Sequence, residues 1–93
     1  MFTEARCIVT GKVQAVGYRD FVTSAAKEYG FTGFVQNRKD GSVEIVVQGI
    51  PDDLKTFVEA LHAGSVLAKV ESVGVDWQTP KRQFTDFEVR FES

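Results

Sequence analysis

The residues best suited to chemistry form a short segment near the N-terminus, residues 11–19, between a predicted strand and a predicted helix. It begins at Gly11, contains Gly17 and ends at Arg19. Glycine allows several backbone N–H groups to turn toward one point, and the first N–H groups of a helix lack partners within it. The helix dipole adds partial positive charge, and an arginine fork matches phosphate oxygens. The segment therefore predicts a site for a small anion, although its spacing alone also fits an ordinary turn.

Asn37 is the second candidate, because it ends a predicted strand just before the turn sequence Asp40-Gly41. Asparagine often occurs beside turns, where its side chain bonds the local backbone. Its carboxamide both donates and accepts hydrogen bonds, so it can also hold a water molecule next to an anion. Sequence order leaves both interpretations open. The second becomes attractive if the ends of the first and second strands converge in one sheet.

Other catalytic sets are absent from the sequence. The only histidine is His62 and the only cysteine is Cys7, so no Ser-His-Asp or Cys-His system can be assembled around the 11–19 segment. No His, Cys, Asp and Glu residues have the spacing of metal ligands, and the segment lacks the Gly-Lys-[Ser/Thr] ending of nucleoside triphosphate-binding loops. We expect no metal and no other cofactor, with His62 on a helix surface and Cys7 in the core.

Apolar periodicity predicts the elements that position these residues. Strict alternation predicts a first strand with Ala5, Cys7 and Val9 facing the core. Helical spacing predicts one helix from Asp20 to Gly30 and another from Pro51 to about Gly64. The apolar positions expected on the buried sides of these helices are Phe21, Val22, Ala25, Ala26 and Tyr29 in the first, and Leu54, Phe57, Val58 and Leu61 in the second.

The remaining segments read as strands. Asp40-Gly41 predicts the turn of an antiparallel hairpin, and a later strand begins near Val70 and places Trp77 in the core. A short terminal strand has Phe87, Val89 and Phe91 on one face. The order is strand, helix, strand, strand, helix, strand, plus the terminal strand. This predicts an α+β, ferredoxin-like βαββαβ sandwich, with two helices on one face of a mostly antiparallel sheet.

Length and composition limit the function classes. The 93 residues are fewer than the roughly 150 of an average domain, so we expect one domain spanning residues 1–93. Eleven basic and thirteen acidic residues give a net charge of -2, which argues against a nucleic-acid partner. No run of hydrophobic residues exceeds three, and the N-terminus does not resemble a signal peptide. We therefore expect a cytoplasmic protein with no membrane partner.

Two motifs carry a family resemblance. Residues 11–19 read Gly-Lys-Val-Gln-Ala-Val-Gly-Tyr-Arg, which resembles the acylphosphatase signature Gly-x-Val-Gln-Gly-Val-Gly-[Phe/Tyr]-Arg. Residues 33–37, followed by residues 40–43 and Gly49, resemble the second signature of the family. The resemblance covers essentially the whole chain. One position departs from the pattern, because Ala15 stands where the family usually has glycine. A positive φ there would strain alanine by about 1 kcal/mol.

The resemblance implies hydrolysis of the carboxyl–phosphate bond of a small-molecule acyl phosphate. It implies that Arg19 supplies the essential charge and that Asn37 positions the attacking water. The residues that it implies for phosphate binding are Gln14, Ala15, Val16, Gly17, Tyr18 and Arg19. The leaving carboxylate is a weak base and departs without a general acid, which suits a site with no titrating partner. We expect a metal-independent monomer.

A noncatalytic ferredoxin-like module that binds RNA or a small ligand is the alternative. Residues 30–35 partly resemble the RNP1 motif of RNA-recognition domains. Thr32 interrupts the motif, Asn37 replaces an aromatic residue, and the segment falls on the second strand rather than the third. The net negative charge also argues against this alternative.

Overall fold

Five strands and two helices make up the part of the chain that the computed structural model describes, residues 2–91. In chain order they are β1 (Thr3–Lys12), α1 (Tyr18–Tyr29), β2 (Thr32–Asn37), β3 (Val43–Gly49), α2 (Pro51–Ala63), β4 (Lys69–Gln78) and β5 (Phe87–Arg90). Residues 1, 92 and 93, which the predicted domain of 1–93 includes, lie outside the described part.

The strands form one sheet in the order β4-β1-β3-β2-β5. Neighbouring strands are antiparallel, except that β5 runs parallel to β2. The predicted α+β, ferredoxin-like fold is therefore confirmed, including its short terminal strand. Within residues 2–91, no helix is long and apolar enough to cross a membrane.

Strand β1 alternates as the sequence predicts. Ala5, Cys7 and Val9 are fully buried in the same core cluster as α1 and α2, while the residues between them are partly exposed on the other face of the sheet. Burial raises the pKa of the Cys7 thiol to about 12. The thiol therefore stays protonated at neutral pH, as expected for a cysteine that only fills space.

Helix α1 begins earlier than predicted, and only part of its predicted buried side is fully buried. It begins at Tyr18 rather than Asp20, and its fully buried residues are Tyr18, Val22 and Ala26. The cause is Tyr18, whose ring lies in the core and whose hydroxyl donates a 2.9 Å hydrogen bond to the Leu61 carbonyl of α2. The predicted residues Val22 and Ala26 are therefore confirmed in the core, whereas Phe21 and Ala25 are partly buried at its margin and Tyr29 is 40% exposed.

Helix α2 follows its prediction more closely. Pro51 occupies the first helical turn, where a missing N–H costs nothing. Leu54, Phe57 and Leu61 are fully buried, and His62 is exposed as expected.

Two aromatic residues lie outside the core, and one of them, Trp77, was predicted to lie in it. Trp77 is 47% exposed because β4 is an edge strand, and within residues 2–91 it pairs with β1 on one side and with no strand on the other. Phe91 is 78% exposed because β5 ends at Arg90, one residue before it. Alternation identifies which residues of a strand share one face of the sheet. It does not show how far other elements bury that face.

The face of the sheet opposite the core holds a polar cluster around Glu44. Arg6 Nε donates a 2.7 Å hydrogen bond to Glu44 Oε2, and Gln36 Nε2 donates one of 2.8 Å to Oε1. Burial by itself would raise the pKa of Glu44. The hydrogen bonds from Gln36 and Arg6, with the charge of Arg6, outweigh burial and lower that pKa below its usual value.

Because its folded-state pKa is lowered, Glu44 stabilises the fold above the pKa of an unfolded glutamate and loses that contribution as the pH falls through the folded-state value. We expect Glu44→Gln to lower the free energy of unfolding at about pH 7 and to lower it less at about pH 3. Urea unfolding at both pH values measures the difference. Equal penalties at the two values would contradict the prediction.

The matched control is Glu88→Gln. Glu88 forms a 3.1 Å ion pair with Arg90, and its side chain is 57% exposed, compared with 13% for Glu44. Its replacement should cost less at neutral pH, because solvent screens exposed ion pairs.

Candidate active site

The segment between β1 and α1 encloses a small concave pocket at the start of the helix. Its volume is about 140 Å³. The residues that line it are Val13, Ala15, Gly17, Tyr18, Arg19 and Asp20. Of these, Arg19 brings the positive charge that the sequence predicts, and the exposed Asp20 brings a carboxylate to the same wall.

Two left-handed residues shape the floor of this pocket. Ala15 has φ 58°, and Gly17 has φ 75° and ψ 13°. Left-handed residues next to ordinary ones turn successive N–H groups toward one side, which creates an anion-binding concavity. No side chain in the described part of the chain caps the start of α1. The first N–H groups of the helix are therefore available to an anion, with the positive end of the helix dipole behind them.

Ala15, which stands where the acylphosphatase signature usually has glycine, has the positive φ that strains alanine. It is the only residue other than glycine with a positive φ among residues 2–91. The left-handed conformation costs alanine about 1 kcal/mol relative to glycine. Because Ala15 is exposed, its methyl group meets no buried wall, and this backbone strain is the main cost of the substitution.

The other three loop residues predicted to bind phosphate, Gln14, Val16 and Tyr18, have side chains that make contacts elsewhere. Gln14 Nε2 donates to the Arg38 and Ser42 carbonyls, and Val16 packs against the core. The Tyr18 ring is buried, and that burial, with a smaller effect of Cys7, raises the pKa of its hydroxyl. Any contribution of these three residues to anion binding comes through their backbone N–H groups.

Arg19 is held by a contact that sequence reasoning missed. Its guanidinium carbon lies 5.5 Å from the centre of the Phe91 ring, within the range of cation–π attraction. The alternation of the terminal strand placed Phe91 on one face with Phe87 and Val89 and gave no signal for a role beside Arg19.

Asn37 is the last residue of β2 and pairs with Val43 of β3. Its Oδ1 atom is buried and accepts no hydrogen bond from any residue in the described range. A buried carbonyl oxygen without a donor is costly, so this atom requires a partner that the side chains and backbone of residues 2–91 do not supply. The neighbouring hairpin turn reaches the pocket loop through the two hydrogen bonds of Gln14.

Metal ligands do not cluster here. In the described range, no three His, Cys, Asp or Glu side chains are grouped closely enough to hold a metal ion. Larger cavities, of about 380 and 240 Å³, lie against residues 80–84 of the β4–β5 connection and include none of the predicted site residues.

Comparison with known proteins identifies the family. The family model for acylphosphatase matches residues 5–89. The chain belongs to the acylphosphatase family. Both signature segments of this acylphosphatase-family chain lie within the matched range, so the predicted family and enzyme class are confirmed.

Individual acylphosphatases are similar to the chain over nearly its whole length. The acylphosphatase of Salinibacter ruber is 43% identical over 82 residues, which cover 88% of this chain and 86% of that protein. The acylphosphatase of Bacillus licheniformis is 41% identical over 86 residues, with coverage of 92% and 96%. The crystal structure of acylphosphatase from Bacillus subtilis superimposes with a TM-score of 0.92 at 38% identity, covering 95% of this chain and 98% of that one.

The strain at Ala15 leads to a test of the pocket. Ala15→Gly removes about 1 kcal/mol of strain but loosens the unfolded chain by a similar amount, so stability and phosphate affinity should stay close to those of the parent protein. Ala15→Val places a β-branched residue at positive φ, which strongly disfavours it. We expect that change to weaken inhibition by inorganic phosphate at least about tenfold, or 1.4 kcal/mol.

Ala63→Val is the control, because Ala63 is exposed and has no positive φ. Phosphate inhibition constants measured for the three variants decide the matter. An Ala15→Val protein with parental phosphate affinity would show that this backbone conformation does not form the anion site.

Proposed function

We propose that this protein is an acylphosphatase that hydrolyses the carboxyl–phosphate bond of acyl phosphates to a carboxylate and inorganic phosphate. The observation that carries the proposal is the uncapped start of α1 behind two left-handed residues, with Arg19 on the wall of the same pocket. Membership of the acylphosphatase family supports the reaction class.

The phosphoryl group is bound by the backbone N–H groups of residues 14–19 and by the guanidinium of Arg19. These donors are fixed before substrate arrives, because they belong to a strained loop and a helix terminus. Fixed dipoles and a positive charge aimed at the phosphoryl oxygens stabilise the charge that spreads over them in the transition state. Arginine suits this role because its planar fork bonds two oxygens at once.

Asn37 orients the attacking water. The buried Oδ1 atom needs a donor, and a water molecule hydrogen-bonded to it has one lone pair directed away from the amide. That water attacks phosphorus in line with the acyl oxygen. The P–O bond breaks, its electron pair leaves with the carboxylate, and both water protons stay on the phosphate, so the substrate dianion yields a carboxylate and dihydrogen phosphate.

The leaving group explains why so few residues suffice. Carboxylic acids have a pKa of roughly 4, so a carboxylate departs at neutral pH without a proton donor. Positioning and charge stabilisation can then supply most of the catalysis. The alkoxide of a phosphate monoester leaves poorly and would need a general acid, which neither Arg19 nor Asn37 can provide.

The setting of the enzyme completes the proposal. Residues 1–93 act as one acylphosphatase domain on a small-molecule acyl phosphate. The monomeric state, the independence of metal, the absence of a nucleic-acid partner and the cytoplasmic location stay predictions from the sequence.

Substitution of the two central side chains separates their roles. We expect Arg19→Ala to lower kcat/KM for acetyl phosphate by about 10³-fold and to weaken phosphate inhibition, because it removes binding charge. We expect Asn37→Ala to lower kcat by about 10²-fold while the phosphate inhibition constant changes less than about threefold. Steady-state kinetics with acetyl phosphate, and urea unfolding to confirm the fold, measure both.

Arg82→Ala and Gln36→Ala are the controls, since Arg82 contacts Phe84 and Gln36 bonds Glu44 on the face opposite the core. Both control proteins should hydrolyse acetyl phosphate at the parental rate. Folded Arg19→Ala and Asn37→Ala proteins with that same rate would refute the proposed roles.

Leaving-group dependence gives a separate prediction. Acetyl phosphate should be hydrolysed equally well with and without a strong metal chelator, whereas glycerol phosphate should not be hydrolysed at a measurable rate. Phosphate release from both substrates measures this. Comparable rates on the two substrates would mean that a general acid takes part.

A further inference from the structure

We propose that the Gln14 side chain is a positioning residue that holds the phosphate-binding loop in register with Asn37. The inference rests on the proposed function and adds a role that the sequence did not assign, since Gln14 was expected only to bind phosphate.

The contacts of the Gln14 amide carry the proposal. Its Nε2 atom donates a 2.8 Å hydrogen bond to the Arg38 carbonyl and a 2.9 Å hydrogen bond to the Ser42 carbonyl. An amide nitrogen has two hydrogens, so both are used. The two acceptors lie 24 and 28 residues further along the chain, on the hairpin turn between β2 and β3.

Hydrogen bonds within the hairpin turn fix the two carbonyls that accept from Gln14. Arg38 N–H donates to the Ser42 carbonyl at 2.8 Å, and Gly41 N–H donates to the Arg38 carbonyl at 3.2 Å. Asp40 Oδ1 accepts from both the backbone N–H and the hydroxyl of Ser42, at 3.0 and 2.6 Å. The two carbonyls that receive Gln14 therefore have fixed positions relative to each other.

Asn37 sits directly beside these two carbonyls. It is bonded covalently to Arg38, and its partner in the sheet, Val43, follows Ser42. The sheet does not join β1 to β2 directly, because β3 lies between them. The Gln14 amide thus provides a direct link between the loop that binds phosphate and the residue that orients water.

The rate of the reaction depends on the relative position of the two groups that this link connects. Reacting atoms must approach to about 3–3.5 Å with proper alignment, and a 1 Å displacement can cost about 10²-fold in rate. The phosphate donors all lie on the loop side of the link, while Asn37 lies on the hairpin side. Loss of the link should therefore lower kcat far more than it weakens phosphate binding.

Three variants test this role. Gln14→Met keeps length and volume but donates no hydrogen bond, and we expect it to lower kcat between about 10- and 100-fold with a phosphate inhibition constant within about threefold of the parent. Gln14→Glu at neutral pH points a carboxylate at two carbonyls and should be at least as slow. The control is Gln83→Met, an exposed glutamine outside the site, which should behave like the parent.

The pH profile of Gln14→Glu provides a readout that lost packing would not produce. As the pH falls toward about 4, the carboxyl group gains a proton and becomes a donor to one carbonyl. The rate of Gln14→Glu relative to Gln14→Met should therefore rise as the pH is lowered. A ratio that stays constant with pH would overturn the proposal, because it would show that the hydrogen bond is not what matters.

A double-mutant cycle with Asn37→Ala locates the effect. If Gln14 acts through Asn37, adding Gln14→Met to Asn37→Ala should cost less than about threefold more. Multiplicative losses would overturn the positioning role. The proposed function has its own failure, namely a folded Asn37→Ala protein that hydrolyses acetyl phosphate at the parental rate, so the two ideas can fail separately. Urea unfolding shows that each variant is folded.

Discussion

The site depends on the backbone N–H groups at the start of α1, which no side chain of residues 2–91 caps. Most helices begin with a side chain that accepts one of these groups, and Gly17 offers none. Ala15 and Gly17, both left-handed, turn the preceding peptides toward the same concavity. The missing acceptor must then come from outside, and an oxyanion with several oxygens and negative charge satisfies such donors better than water does.

Such a loop needs support from several directions, since between β1 and α1 its backbone forms no regular structure. Gln14 joins it to the β2–β3 hairpin, the Tyr18 hydroxyl joins it to Leu61 of α2, and the Val16 carbonyl accepts a 3.1 Å hydrogen bond from the Ser65 hydroxyl after α2. Three contacts to three different segments fix a backbone that would otherwise relax. The ferredoxin-like fold contributes by bringing those segments to one end of the sheet.

The sequence predicted those features of the fold that depend on a local pattern of residues. Alternation identified the core face of β1, and Pro51 marked the start of α2, because both signals arise within one element. The start of α1 was placed two residues late, since the position of Tyr18 depends on a hydrogen bond to a residue 43 positions away. Trp77 was misplaced for a similar reason, namely that the order of the strands in the sheet decides how well a side chain on an edge strand is covered. The Gln14 contacts are equally nonlocal, and no spacing rule points to them.

The free-energy cost of forming this site is small compared with the net stability of a domain of this size. Ala15 costs about 1 kcal/mol in backbone strain, and a missing helix cap costs about 1 kcal/mol more. Domains of this size have net stabilities of about 5–15 kcal/mol, so the two penalties together take only a fraction of it. Neither penalty involves burying a charge, which would be far more expensive. A reaction whose leaving group needs no proton thus allows a site built from backbone dipoles, one arginine and one amide, and a chain of 93 residues can support that site.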